Sequence, residues 1–402
     1  MQSAVIHGNH LYRKAVRIAI ITHIYCVLYV IEVLMSKRFI RSINYMRGLC
    51  MLGVIGIHVG SAALSNPTPN LALIGLLEIL SRFSVPAFFF LSAFGMFCSQ
   101  PLSAPFDYGA YLKRRLKTVL LPYITWSFFY MLYTAVLSCN FGIFSPSAVF
   151  KTLTYGLAMY HIYFLVILLW FYLLMPLWRR LLAYMLKAPF LSFSILFLAN
   201  LAFNFWSSYL FTYTGTNDWL KDAASYRLNW VVFHYIFIFM FGAFAAEKFE
   251  AVTAFLSHHG KGIIFFQVFS AAAMVASYIG VMHVLHYDAL GAVYTVHQLS
   301  PVGMIYTLSS ILFFLYLWQC RPVSVNTDRL FSFLGDKSYL VYLVHPVFLS
   351  LCTGTAAHFG IVLSALPIIL IYIFVTVAAA TCAAFLQNLP LPRFLAVCLR
   401  GK

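Results

Sequence analysis

Apolar residues run along this chain in long stretches divided by short polar gaps. Beyond the first forty residues ten stretches stand out, at roughly 49–66, 84–99, 118–138, 159–177, 188–206, 230–247, 262–284, 300–318, 338–355 and 361–386. A helix needs about 20 apolar residues to cross a hydrocarbon core about 30 Å thick. The stretches lack the period-two alternation of an outer-membrane barrel. The pattern therefore predicts an all-α, polytopic transmembrane helical bundle of ten core spans. The longest gap, 207–229, is too short to hold a soluble domain.

A further apolar run lies at 16–35, between Arg13, Lys14 and Arg17 on one side and Lys37 and Arg38 on the other. If it crossed the membrane, basic residues would flank it on both faces, against the usual asymmetry. No small-residue cleavage site follows it, so it is a poor signal peptide. Met35-Ser-Lys-Arg38 reads as a natural beginning. The expectation is that translation starts at Met35 or that 16–35 lies along the membrane surface, with an additional N-terminal span as the alternative. The chain then divides into an extension, 1–36, and a membrane domain, 37–402.

Composition narrows the class further. Hydrophobic residues make up 63% of the 402 and charged residues 9%, against about 45–50% and 25% in soluble domains. The net charge of +16 would suit a nucleic-acid partner, but its distribution argues for topology instead. Nineteen basic residues fall before the first span, in alternate gaps and in the C-terminal tail, among them Lys37, Lys113, Arg179, Lys248, Arg329 and Arg400. The opposite gaps hold four: Arg82, Lys151, Lys221 and Arg227. This asymmetry places both ends of the ten-span unit in the cytoplasm. The eight cysteines form no CxxC pair and no regular spacing, so they read as packing residues rather than a disulfide framework or zinc site. His283, His286 and His297 crowd one outer loop with Asp288, but no helical i, i+4 pair with a carboxylate makes a metal site of them. No bound metal or cofactor and no nucleic acid is expected.

The first span carries the most informative pair, Arg47 and His58. Eleven helical steps of about 100° bring the two side chains to one face, with His58 about 16 Å deeper. Ionisable groups at that depth usually face the bundle interior and mark a function. On spacing alone two accounts stay open: a working pair, or a neutral hydrogen-bonded histidine with Arg47 as a topological anchor.

Here the sequence resembles the integral-membrane acyltransferase-3 family, whose ten-span members O-acylate bacterial surface polysaccharides and related acceptors. Its first span has an Arg, ten residues and a His, which Arg47 and His58 match. Phe83-Ser-Val-Pro-Ala-Phe-Phe-Phe-Leu-Ser92 resembles its second span, and the basic run Lys113-Arg-Arg-Leu-Lys117 up to Pro122 its entry to the third. Tyr160-His-Ile-Tyr-Phe164 resembles the start of its fourth, and Leu334-Gly-Asp-Lys-Ser-Tyr-Leu-Val-Tyr-Leu-Val-His345-Pro its ninth. The resemblance runs from about 37 to the C-terminus, in the form without a fused soluble esterase-like domain. Departures are Asn44 where Asp is common, Ala93 for Gly, Tyr163 for Trp and Thr118 for Arg. Asn44 leaves Arg47 without the carboxylate neighbour usual in the family.

The resemblance implies a membrane-embedded O-acyltransferase that takes an acyl group, expected to be acetyl, from cytoplasmic acyl-CoA. The acceptor would be a hydroxyl of a cell-surface glycan or a lipid-linked saccharide precursor. The site would lie in the bacterial cytoplasmic (inner) membrane, in contact with lipid and with the C-terminus inside. Acyl transfer needs a base for the hydroxyl proton, and imidazole titrates near pH 6.5. It also needs cations for the phosphates of CoA, and Arg binds phosphate bidentately. His58 and Arg47 are the catalytic candidates, and Arg47, Arg114, Arg115 and Lys117 the donor-binding ones; acetyl-CoA is a co-substrate rather than a bound cofactor. Arg82, His161 and Tyr163 are candidates for the acceptor side, though an aromatic belt with hydrogen-bonding partners is the plainer account of them. His345, before Pro346, and Ser92 are supporting candidates, His345 being as apt to satisfy a helix carbonyl freed by the proline. The alternative function is a polysaccharide exporter without acyl transfer, which would be expected to show internal repeats with matched broken helices; none is evident.

Overall fold

The computed structural model describes residues 41–401. The 1–36 extension, its apolar run and the Met35 start lie outside the described residues. Among the described residues there is no strand. Eight helices among the described residues are long and apolar enough to cross a membrane: Arg41–Ala63, Leu71–Ser99, Tyr108–Ser138, Pro189–Leu210, Gly260–Val284, Pro301–Cys320, Val325–His358 and Ala365–Asn388. Two bent pairs, Tyr163–Leu173 with Met175–Met185 and Val232–Glu247 with Phe249–His258, raise the number to ten if each pair is one span. They fall on the ten apolar stretches in order and are numbered first to tenth below.

Helix ends follow local chemistry more closely than hydropathy. The second span begins at Leu71, well before the expected 84, because the Asn70 side chain accepts a hydrogen bond from the Leu73 N–H at 3.0 Å and caps it. A π-helical turn, Gly75–Ile79, then carries the chain into the regular helix from Ser84. Polar Glu78, Ser81 and Arg82 lie in this early part and lower its apparent hydrophobicity. The third span starts at Tyr108, capped by Asp107, so the basic run 113–117 rides on the helix instead of preceding it.

Both bent spans were expected to be single helices. In the fourth, Pro176 lacks an N–H and its ring conflicts with the carbonyl four residues earlier, and the axis turns by 68° at Leu174. The Trp178 indole N–H donates to the Phe171 carbonyl at 3.1 Å and satisfies part of the broken ladder. In the sixth the axis turns by 100° at Lys248. There Glu247 accepts from the Leu102 N–H at 2.6 Å, tying the turn to the segment between the second and third spans.

The first span is the central one. Its apolar window is 61% buried within the protein, against 17%, 22% and 28% for the fifth, seventh and tenth, which present most of their surface outward. Small residues let its neighbours close on it, the usual device where lipid removes the hydrophobic drive between helices. A Cβ on Gly56 would stand 2.8 Å from Ser81 Oγ, and one on Gly60 2.9 Å from the Glu78 side chain. On the ninth span, a Cβ on Gly335 would stand 2.2 Å from the Asn44 carbonyl oxygen. This packing brings two acidic residues, Glu78 and Asp336, to the flanks of the helix that carries Arg47 and His58.

Candidate functional site

Arg47 and His58 open into two different cavities, one above the other along the first span. The cavity at the basic end, about 410 Å³, is lined by Arg47, Ser92, Arg115, Asp336, Tyr339 and Arg400 among others. The cavity at the opposite end, about 320 Å³, is lined by His58, Ser61, Glu78, Arg82, His161 and Tyr163 among others. Phe88, Phe164 and Tyr342 line both. The Phe164 ring meets Phe88 at 6.0 Å and Tyr342 at 5.8 Å, each edge to face. These three rings form a wall between the cavities. The Tyr342 hydroxyl is fixed by donating to the His161 carbonyl at 2.5 Å.

The His58 cavity holds a histidine cluster beside an ion pair. His58 stacks on His345, with ring centroids 5.4 Å apart, and packs against Tyr160 at 4.3 Å. His161 stands edge-on to His345 at 5.3 Å. His345 Nδ1 lies 2.8 Å from the Tyr342 carbonyl, which can only accept, so Nδ1 carries a proton and the neutral ring has its lone pair on Nε2. His345 Nε2 and both His161 nitrogens are buried without a hydrogen-bond partner among the described residues. One turn beyond His58, Ser61 donates to Glu78 at 2.8 Å. Glu78 also pairs with Arg82 one turn along its own helix, and Arg82 donates to Gln298 at 3.2 Å. The ion pair is buried, with Glu78 only 1% exposed. Such a pair persists only when each partner compensates the other, and it offers fixed donors and acceptors to a polar ligand.

The Arg47 cavity is cationic. Arg47, Arg115 and Arg400 face it together with one acid, Asp336. Asp336 already accepts from the Asn44 amide at 2.9 Å. The ninth span thus sets a carboxylate against Asn44, at the rim of the cavity that Arg47 lines. Arg115 lies over the rings of Tyr172 and Tyr111, at 5.3 and 5.5 Å, an arrangement that holds a guanidinium without neutralising it. Arg47 passes close to Gly95, where a Cβ would stand 3.5 Å from Nη2.

The structure gathers Arg82, His161 and Tyr163 around the cavity of His58, and places His345 directly against its ring. Ser92 and Arg115 join Arg47 at the other cavity. Arg114 and Lys117 do not line it; they are exposed on the third span. On a helix, residues one apart diverge by about 100°, so of the basic run only Arg115 turns inward. His234, a further buried histidine, belongs to neither cavity: its Nδ1 meets Asn204 at 2.7 Å. Sequence reasoning passed over Glu78, Asp336 and Arg400. Glu78 and Arg82 stand at i and i+4, which is a legible helix pairing, and Asp336 falls inside the ninth-span segment that carries the resemblance, whereas nothing local marks Arg400. No group of three or more His, Cys, Asp or Glu able to hold a metal occurs among the described residues.

A family profile described as an acyltransferase domain matches residues 40–385. Curated proteins from Staphylococcus aureus strains MSSA476, MW2 and N315, each named "Probable poly-beta-1,6-N-acetyl-D-glucosamine export protein", are 24% identical to this chain over 243 residues. Each alignment covers 60% of this chain and 62% of the relative. The chain thus spans about three fifths of the length of these relatives. No solved structure matches the chain.

Proposed function

The chain belongs to the acyltransferase-3 family, and on that premise we propose that it is a membrane-embedded O-acyltransferase using cytoplasmic acetyl-CoA. The acceptor is a hydroxyl of a cell-surface glycan or of its lipid-linked precursor. The protein lies in the bacterial cytoplasmic membrane with its basic end and C-terminus inside. One observation carries this reading: a cationic cavity and a histidine cavity meet at a shared wall of three aromatic rings. A phosphate-bearing donor fits the first, and a polyhydroxylated acceptor fits the second.

In this account Arg47 and Arg115 hold donor phosphates, and the extended thioester arm points toward the wall. The acceptor lies among Arg82, His161 and Tyr163, with Glu78 and Gln298 supplying further hydrogen bonds. His58 takes the proton as the hydroxyl oxygen attacks the thioester carbonyl. The new C–O bond forms, the C–S bond breaks, and the sulfur leaves as the thiol once the proton is returned to it. The His345 stack and Tyr160 keep the His58 ring in one orientation, which is what a general base requires.

The relatives' printed name favours a second reading, polysaccharide export without transfer. Export of a polymer needs an open path, and the aromatic wall supports transfer across it instead. The deciding experiment incubates the purified full chain with radiolabelled acetyl-CoA and candidate glycans. Label in the glycan is expected; glycan translocation without label would overturn the proposal.

A further inference from the structure

Arg400 enters the cationic cavity from an element outside the ten spans. The helix Arg393–Arg400 buries Val397 and Cys398 against the bundle and leaves Phe394 and Leu395 outward. Two contacts seat it on the third span. The Trp126 indole donates to the Leu399 carbonyl at 3.2 Å, and Gly401, at φ 70°, lies so close that a Cβ would stand 2.3 Å from the Thr118 carbonyl oxygen. The Arg400 guanidinium is itself clamped, donating to the carbonyls of Gln387, at 2.9 Å, and Leu389. Those partners are neutral, so they orient the charge without cancelling it.

The Nε atoms of both Arg400 and Arg115 are buried with no hydrogen-bond partner among the described residues. A buried, unpaired guanidinium N–H is costly, and here two of them border one cavity. Three guanidinium groups face a single acid that Asn44 already engages. A ligand with one negative charge would leave the cavity positive; a ligand with several phosphate charges would balance it.

Resting on the acyl-CoA reading above, we propose that Arg400 completes a three-arginine phosphate clamp. The clamp makes the site selective for a nucleotide-bearing thioester over a bare acyl-pantetheine. Because its side chain is held in place before the donor arrives, little ordering entropy remains to be lost on binding.

The test compares kcat/KM for acetyl-CoA and for S-acetyl-pantetheine, which carries no phosphate, in the full chain. Arg400→Gln keeps an amide donor for the two carbonyls and removes the charge. It is expected to lower the acetyl-CoA to acetyl-pantetheine ratio about 10- to 100-fold, the range for a lost charge-assisted hydrogen bond. Arg400→Lys, which keeps charge but not the fork, falls between. Trp126→Phe, which unpins the helix, lowers the same ratio if Arg400→Gln fails to accumulate. An equal loss with both donors marks a structural role and overturns the clamp, as does an unchanged ratio. Equilibrium binding of CoA alone separates this inference from the transfer reading. Binding weakened by Arg400→Gln in a protein that transfers no label would sink the transferase reading and leave the clamp standing.

Discussion

At the level of single residues, His58 is set apart by its company rather than its depth. Its spacing from Arg47 was legible, but spacing left a structural histidine equally open. The structure adds the stacked His345, whose Nε2 has no partner among the described residues, and a neighbouring ion pair that hydropathy concealed because Glu78 and Arg82 interrupt the apolar run. If His58 is the base, His58→Gln, which keeps hydrogen bonding, loses roughly 10²- to 10⁴-fold in turnover at matched membrane abundance. Near-normal turnover in that variant would end the assignment. A second residue-scale prediction concerns His297, in the loop before the eighth span. Burial, with the nearby charge of Arg82, pushes its pKa down to about 4, and its Nδ1 accepts from the Leu299 N–H at 3.1 Å, which requires the neutral ring. Between about 4 and the ordinary 6.5 the unfolded chain binds the extra proton, so stability rises with pH there. The contribution is present above about 6.5 and is lost as pH falls toward 4. Thermal unfolding of the full chain from pH 7 to pH 4 should show a falling midpoint, and His297→Asn should flatten that slope; an unflattened slope would place the sensitivity elsewhere.

At the level of elements, all ten apolar stretches have helices on them, because a long apolar run in a bilayer has few other ways to satisfy its backbone. The bends and early helix starts were less legible. The break at Leu174 had a local signal in Pro176, whereas the turn at Lys248 depends on a contact with Leu102, far away in sequence. The early start of the second span had a local signal in the Asn70 cap, but Glu78 and Arg82, whose partners lie on the first span and on the segment before the eighth, masked it in the hydropathy. The glycine contacts between first and second spans give a direct test. Gly56→Leu would drive a branched side chain into Ser81, whose Oγ already lies 2.8 Å from the Cβ position. Overpacking of this kind costs about 1–3 kcal/mol. A lower unfolding midpoint is expected, together with weaker turnover, since Ser61 and Glu78 would be forced apart. Gly262, with nothing within 4 Å of its Cβ position, is the control: Gly262→Leu should leave both measurements near the starting protein. Equal effects at the two positions would show that the first and second spans do not meet as described.

For the whole molecule, the arrangement that matters is the order basic cavity, aromatic wall, histidine cavity. Charge asymmetry along the sequence anticipated a basic end, but the wall joins residues from the second, fourth and ninth spans that no local pattern connects. Its side chains separate the two functional readings by opposite responses. If an acyl group is handed over at the wall, Phe164→Ala opens the junction and loosens the alignment of thioester and hydroxyl. Transfer then falls, because misplacement of about 1 Å can cost about 100-fold. If the protein instead passes a polymer, the wall is the constriction and removing a ring widens it. Phe164→Ala would then raise the flux of glycan into sealed proteoliposomes without any label entering it. Measuring labelled product and glycan flux side by side in Phe164→Ala and Phe88→Ala therefore decides between them. Lower label with flat flux supports transfer at the wall; higher flux in both variants would make the three rings the gate of an exporter.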